Sequence, residues 1–383
     1  MPSFREVYIV ITIKNINLNG KRIETPNLFV SYRVGDYPSA GLKCLPWNEI
    51  EIEALLVNSY DFLKSKYRQL LGHHNGVNFL KFKGPIMMDS GGFYFIENKH
   101  IDIDPLEILD LELKAKVDIG VVLDHPVHLK ATNPYQRAEN TLKNTKIMFE
   151  ELSKNNHDHF ILLPVIQGYN VKLLNHFINR LNCIMRRYNG GYFDYVGIGG
   201  LVPLSQRCDE RIVNVISYIR KNLPDAYIHC FSLGSPLMML IAFYCGADTV
   251  DTQGWIKSAA FRAINLPGMG SVKLRLKDKE DKPKLFERNY KKLASHLEYL
   301  ESNEGFKSPY SLDDLIDTPD ERRIHNRAIH NLYVYVYESQ KAREAIKGGY
   351  FEEFLEERFS RSKILRKLFE KAKRVKKCGK IYS

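Results

Sequence analysis

A chain of 383 residues, 44% hydrophobic and 26% charged, is long and apolar enough for one large domain with an elaborated end, or for two. No stretch approaches the ~18 consecutive apolar residues of a membrane span, and Met1–Val10 lacks a cationic region followed by an apolar core, so no membrane partner and no secretory signal are expected. The formal charge of +11 suits a polyanionic partner, while six scattered cysteines without a CxxC pair speak against a disulfide framework or local zinc knuckle and for a reducing cytoplasm.

From Glu24 to Gly254 one pattern repeats: a short apolar, β-branched run, a polar or Gly-rich turn, then a helix-like stretch. The runs are Asn27–Ser31, Ala54–Tyr60, Pro85–Ser90, Ile119–His125, Phe160–Gln167, Tyr195–Gly200, Tyr227–Gly234 and Thr249–Gln253. Helices are predicted between them at Pro105–Lys116, Pro134–Asn155, Val171–Arg187 and Gln206–Asn222. Near-continuous apolar strands alternating with helices indicate a parallel sheet covered on both faces. Eight such units fit an α/β, (β/α)8 TIM-type barrel, which has no edges to protect. A doubly wound sheet is the alternative, but no Gly-rich phosphate turn follows the first strand.

Residues 1–276 are thus read as the barrel domain and 277–383 as a helical, basic C-terminal subdomain. Gly268–Gly270 and the stretch after it read as a surface connection. Helices are predicted at Leu285–Leu300, Pro319–Ile346, Tyr350–Phe359 and Arg361–Lys377. The last carries nine basic residues and one acid, Glu370, with Ile364, Leu365, Leu368 and Phe369 at helical spacing. It reads as a helix docking one face and presenting a cationic one, either merely solvated or set against phosphates.

Chemistry on such a barrel gathers at the C-terminal ends of the strands. Three runs end in aspartate: Asp89 in Asp89-Ser90-Gly91-Gly92-Phe93, Asp124 before His125-Pro126, and Asp251 before Thr252. Others end in Gln167-Gly168 and Gly199-Gly200-Leu201. A single Asp closing a strand is usually a cap or turn residue. Three of them beside Gln-Gly and Gly-Gly turns suggest one pocket, because unpaired carboxylates inside the barrel wall would be costly. Convergent carboxylates suit glycosidic chemistry, one attacking the anomeric carbon and another handling the leaving group's proton.

At these residues the chain resembles the tRNA-guanine transglycosylase superfamily. Asp89-Ser90-Gly91-Gly92-Phe93 is similar to its DSGG-aromatic motif, Gln167-Gly168 to its Gln-Gly, Gly199-Gly200-Leu201 to its Gly-Gly-Leu and Glu24-Thr25-Pro26 to its ETP segment. Asp124 sits where the family's base-recognising aspartate sits, Asp251 where its nucleophile sits, and Ile329-His330-Asn331-Leu332-Tyr333 resembles the helix supplying its zinc histidine. The resemblance covers roughly residues 20–345.

It implies a ping-pong exchange without a cofactor. Asp251 attacks C1′ of a guanosine flipped from the polymer, Asp89 serves as general acid or base, and a 7-deazaguanine (preQ0-like) base replaces guanine. Asp124, Gln167 and Gly199-Gly200 would read the base edges within a pocket formed also by Ser90, Gly91, Gly92 and Leu201, with Phe93 and Phe231 sandwiching the ring. A homodimer is a further implication.

Departures narrow the branch. The family's CxCxxC is missing where Leu300–Gly305 stands, so no structural zinc is expected and His330 reads as a packed or hydrogen-bonded residue. Thr252–Ala259 replaces a Pro-Thr-Arg loop and is closer to the archaeal type; Tyr94 replaces a Gln; the chain is too short for the RNA-binding domains of archaeosine enzymes. These features lean towards DNA over tRNA as the polymer. The alternatives are an enzyme of tRNA and a non-catalytic, nucleic-acid-binding partner subunit, which typically loses its carboxylates.

Overall fold

The computed structural model describes residues 11–18, 20–35, 41–63, 67–92, 103–155, 157, 159–188, 194–274, 276–316 and 324–378. The chain enters through an antiparallel hairpin, β1 (Lys14–Leu18) and β2 (Lys21–Thr25). Parallel strands follow: β3 (Asn27–Ser31), β4 (Ala54–Asn58), β5 (Ile86–Asp89), β6 (Ile119–Val121), β7 (Ile161–Leu163), β8 (Val165–Ile166), β9 (Tyr195–Ile198), β10 (Tyr227–Cys230) and β11 (Thr249–Thr252). Their hydrogen-bonded order is β7-β6-β5-β4-β3-β11-β10-β9-β8. Since β7 and β8 are one segment interrupted at Pro164, the ends of that order meet and eight staves close a barrel, the predicted fold class. All eight apolar runs lie on these strands, because parallel strands covered on both faces lose water all round and need apolar side chains at nearly every position.

Phe29, Leu56, Met87, Val121, Leu163 and Val165 pack together inside the barrel, with Leu18 and Ile23 of the β1–β2 hairpin closing its N-terminal end. The outer faces of the strands pack against the helices Pro105–Ala115, Pro134–Leu152, Val171–Tyr188, Arg211–Asn222 and Pro236–Tyr244. After β11 comes only a seven-residue helix, Gly254–Ala260, and the 25-residue helix Ile324–Gly348 packs against it and against β3. Asn331 is stitched to the backbone at Trp255, Ala263 and Asn265, and Tyr335 donates to the carbonyl of Gly234 at 2.8 Å.

Two elements differ from the sequence expectation. The β1–β2 hairpin lies outside the predicted elements, although Asn19-Gly20 between alternating residues is a hairpin signal. The supposed surface connection at Gly268–Gly270 is the turn of a second hairpin, β12 (Ala263–Leu266) with β13 (Gly270–Lys273). The final helix, Lys363–Cys378, docks through Leu365, Leu368, Phe369, Ala372 and Val375, while Ile364, expected on that face, is 62% exposed. Its cationic side is partly neutralised: Lys367 and Lys371 pair with Glu210, Lys373 with Glu356 and Glu370, and Lys376 with Glu352.

Candidate active site

Three of the sequence-selected aspartates converge at the C-terminal rim. A narrow cleft is lined there by Asp89, Asp124, Pro126, Val165, Gly199, Gly200, Leu201, Val202, Phe231 and Ser232. Asp251 stands directly behind that wall and is 3% exposed. Its Oδ1 accepts from the backbone N–H of Ser232 at 2.6 Å and from His229 Nε2 at 3.4 Å, and its Oδ2 from the Ser31 hydroxyl at 2.6 Å.

Asp89 closes β5, half-buried at the cleft. Asn58, its register partner at the end of β4, donates to Oδ2 at 2.8 Å, and the Ser59 hydroxyl donates to its carbonyl at 2.9 Å. Removal from water pushes the Asp89 carboxyl well above the usual carboxylate range, and the charges of Asp124 and Asp251 push it further, against the N–H groups of Gly91 and Ser90. Both effects favour the protonated form of Asp89.

Asp124 is pushed up to about 7 by burial, opposed by its own N–H, the Gln167 amide and Ser90. Gln167 bridges the two sides of the cleft: its Nε2 donates to Asp124 Oδ2 at 2.5 Å, and its Oε1 accepts from the N–H of Val127 at 3.0 Å. The Ser90 hydroxyl is buried beside Asp124 without reaching a partner at full hydrogen-bond geometry. Two glycines are dictated by close approach. A Cβ on Gly92 would stand 2.0 Å from Asp124 Oδ1, and one on Gly199 2.1 Å from Gln167 Nε2. Gly91 adopts φ +84°, which L side chains rarely take. Phe93, expected to cover the base, lies outside the described residues, as does Tyr94. Phe231 lines the cleft, its ring 4.5 Å from that of His229 and nearly perpendicular to it.

Sequence reasoning missed Ser31, Asn58, Ser232 and His229. The first two are the last residues of β3 and β4, so extending the strand-end rule to every stave would have found them. His229 sits inside β10 and carries no such signal.

Among the described residues one group brings three metal-ligand types together: Cys44, Glu49 and His325, with ligand atoms within 4.8 Å of one another. The N–H of Lys43 donates to His325 Nδ1 at 3.1 Å, so the neutral ring carries its proton on Nε2 and donates to Glu49 Oε1 at 2.8 Å. The Cys44 thiol, pushed up to about 11 by partial burial and by Glu49, donates to the same oxygen at 2.9 Å, and Tyr310 donates to the other at 2.5 Å. With every donor spent on one carboxylate, this is a hydrogen-bonded clasp. At His330, Nε2 contacts the carbonyl of Asn265 at 2.8 Å and Nδ1 the Ser308 hydroxyl at 2.9 Å, and burial holds its pKa down to about 4.

An eight-stave barrel with carboxylates, a carboxamide and close-packed glycines at its C-terminal rim defines a TIM-type α/β-barrel protein with a polar site at its strand ends. More particularly, the family model described as queuine tRNA-ribosyltransferase matches residues 12–363, and the chain belongs to that family. It is 28% identical over 355 residues to the tRNA-guanine(15) transglycosylase of Pyrococcus abyssi, covering 90% of this chain and 54% of that one. To the protein of the same name from Methanocaldococcus jannaschii it is 26% identical, covering 90% and 49%, and to that of Nanoarchaeum equitans 29%, covering 67% and 59%. The chain spans about half the length of the first two relatives. No helix among the described residues is long and apolar enough to cross a membrane.

Proposed function

We propose that this protein is a pentosyltransferase that exchanges guanine in tRNA for a 7-deazaguanine base. The observation that carries the reading is electrostatic: Asp89, Asp124 and Asp251 crowd one rim, and among the described residues no lysine or arginine pairs with them. An Asp251 oxygen bonds to C1′ as the C1′–N9 bond breaks. The bonding pair leaves with guanine, which takes a proton from Asp89. The incoming base returns its N9 proton to Asp89, N9 bonds to C1′, and Asp251 departs as carboxylate. Asp124 accepts from the N1–H and amino group of the base, with Gln167 and the Gly199-Gly200 backbone at its carbonyl edge.

The relatives' names support tRNA over DNA, against the lean drawn from the sequence departures. Incubation with labelled guanine tests both points. Label should enter bulk tRNA and not duplex DNA, and a denaturation-resistant protein–RNA adduct should vanish in Asp251→Asn. Label entering only DNA would restore the DNA reading; an adduct that persists in the mutant would reassign the nucleophile.

A further inference from the structure

Behind the carboxylate assigned as nucleophile runs a buried chain of polar groups that the exchange reaction as written does not use. The Tyr227 hydroxyl meets Thr249 Oγ1, Thr249 Oγ1 lies 2.8 Å from His229 Nδ1, and His229 Nε2 reaches Asp251 Oδ1 at 3.4 Å. His229 and Thr249 are completely buried, and the imidazole is wedged edge-on between two rings, Phe29 at 5.6 Å and 88° and Phe231 at 4.5 Å and 70°. Tyr227 comes from the start of β10, His229 from its middle, and Thr249 and Asp251 from adjacent β11, where His229 and Thr249 are register partners.

We infer that His229 is a positioning residue for Asp251, its tautomer fixed by Thr249 and Tyr227. This rests on the reading of Asp251 as the attacking group. The directions follow from what each group can do. A carboxylate only accepts, so Nε2 carries a proton and donates to Oδ1. When the ring is neutral, Nδ1 offers a lone pair that the Thr249 hydroxyl fills, and the oxygen of Thr249 accepts from Tyr227. Burial raises the phenol's pKa and keeps it a donor.

The arrangement suits a group that must attack and then leave. An ion pair with Lys or Arg would hold Asp251 equally firmly but damp its attack on C1′. A neutral imidazole, a hydroxyl and a peptide N–H orient it without cancelling its charge, and they stand ready when the incoming base displaces it as carboxylate. The 3.4 Å separation leaves room for the contact to tighten as charge returns to Oδ1. Phe231 joins this support to the cleft, since its ring both lines the pocket and abuts His229.

The test compares His229→Asn, His229→Gln and Thr249→Val in full-length protein with bulk tRNA and labelled guanine. Asn keeps a polar group opposite Thr249 and loses the donor to Asp251; the Gln amide nitrogen can stand where Nε2 stands. Expected is a kcat for exchange lowered roughly 10- to 100-fold in His229→Asn, by analogy with losing a hydrogen-bond partner that orients a metal-ligating side chain, with KM for the RNA unchanged and adduct formation slowed in step. His229→Gln should recover much of that kcat. Thr249→Val, which leaves the ring in place but frees its tautomer, should lower kcat in the same direction by less; it carries the test if His229→Asn fails to fold. Wild-type kcat in Thr249→Val and His229→Asn, or equal losses in Asn and Gln that follow thermal stability alone, would overturn the inference while leaving the exchange reaction intact. A wild-type protein that exchanges no guanine and forms no adduct would remove the reading of Asp251 and this inference with it.

Discussion

The two ends of the barrel each carry buried aspartates, and their partners are opposite in kind. At the N-terminal end Asp118, before β6, accepts from the N–H of Ile86 at 2.8 Å and pairs with Lys21 at 2.8 Å. Asp248, before β11, accepts from the N–H of Ile228 at 2.8 Å and pairs with buried Arg220 and with Lys14 at 2.9 Å. At the C-terminal end Asp89, Asp124 and Asp251 receive amide, hydroxyl, imidazole and backbone donors and, among the described residues, no lysine or arginine. A buried charge with a cation holds strands in place. Without one, burial pushes the carboxyls of Asp89 and Asp124 up, and the cluster stays available to a ligand. Asp248 and Asp251 stand three residues apart on one strand run, so the distinction lies in the surroundings.

Exchanging each of that pair for Asn should separate the two roles most widely. Asp251→Asn should cut guanine exchange by roughly 10⁴-fold or more, as removing a nucleophile does, with little change in the denaturation midpoint. Asp248→Asn should do the reverse, leaving exchange per folded molecule unchanged and lowering stability by about 3 kcal/mol, read from a denaturant titration. That is the low end for breaking a buried ion pair, because Arg220 keeps its bonds to the carbonyls of Gly246, Leu223, Pro224 and Ala226. If Asp248→Asn lost exchange without losing stability, the two ends would not differ as described.

How much of this was legible follows from where the information sits. The eight staves were readable because each advertises burial within five or six residues, and the rim was readable because Asp89, Asp124 and Gln167 end such runs. What the sequence could not convey is pairing across staves. His229 looks like any polar residue in an apolar strand until register sets it beside Thr249 and its ring beneath Asp251. Lys14 and Lys21 look like solvated hairpin residues until the hairpin is folded under the barrel. The basic last helix is less open than charge counting suggests: four of its lysines reach acids, Lys367 and Lys371 at Glu210 and Lys373 and Lys376 on Phe351–Phe359.

The rim also predicts a pH dependence. Asp124 is pushed up to about 7 from an ordinary 3.8. Folding therefore favours its protonated form, and the stability this contributes is fully present below about pH 4 and lost as pH rises through 7. Asp124→Asn titrates nothing and escapes that loss. Relative to wild type it should be unchanged near pH 4 and more stable by about 2 kcal/mol at pH 8, about half the full linkage of ~1.4 kcal/mol per pH unit, because the cleft is partly solvated. The measurement is the thermal midpoint of both proteins across that range. A stability difference that shrinks with rising pH would place Asp124 among the charge-paired aspartates.

The smallest effect is expected at the other end. Lys21 is 36% exposed while its partner Asp118 is 6% exposed, so water already screens much of their attraction. Lys21→Met keeps the aliphatic stem and leaves Asp118 its bond from Ile86. The loss should be about 0.5–1 kcal/mol, the usual worth of a partly exposed pair, shrinking further in high salt, with exchange unchanged. A loss as large as that from Asp248→Asn would mean Asp118 depends on its lysine as Asp248 depends on Arg220. The base of the barrel would then be one continuous charge network. If Lys21→Met instead slowed exchange without touching stability, the charge at the base would be acting on the rim through the barrel, and the division of labour between the two ends would fail.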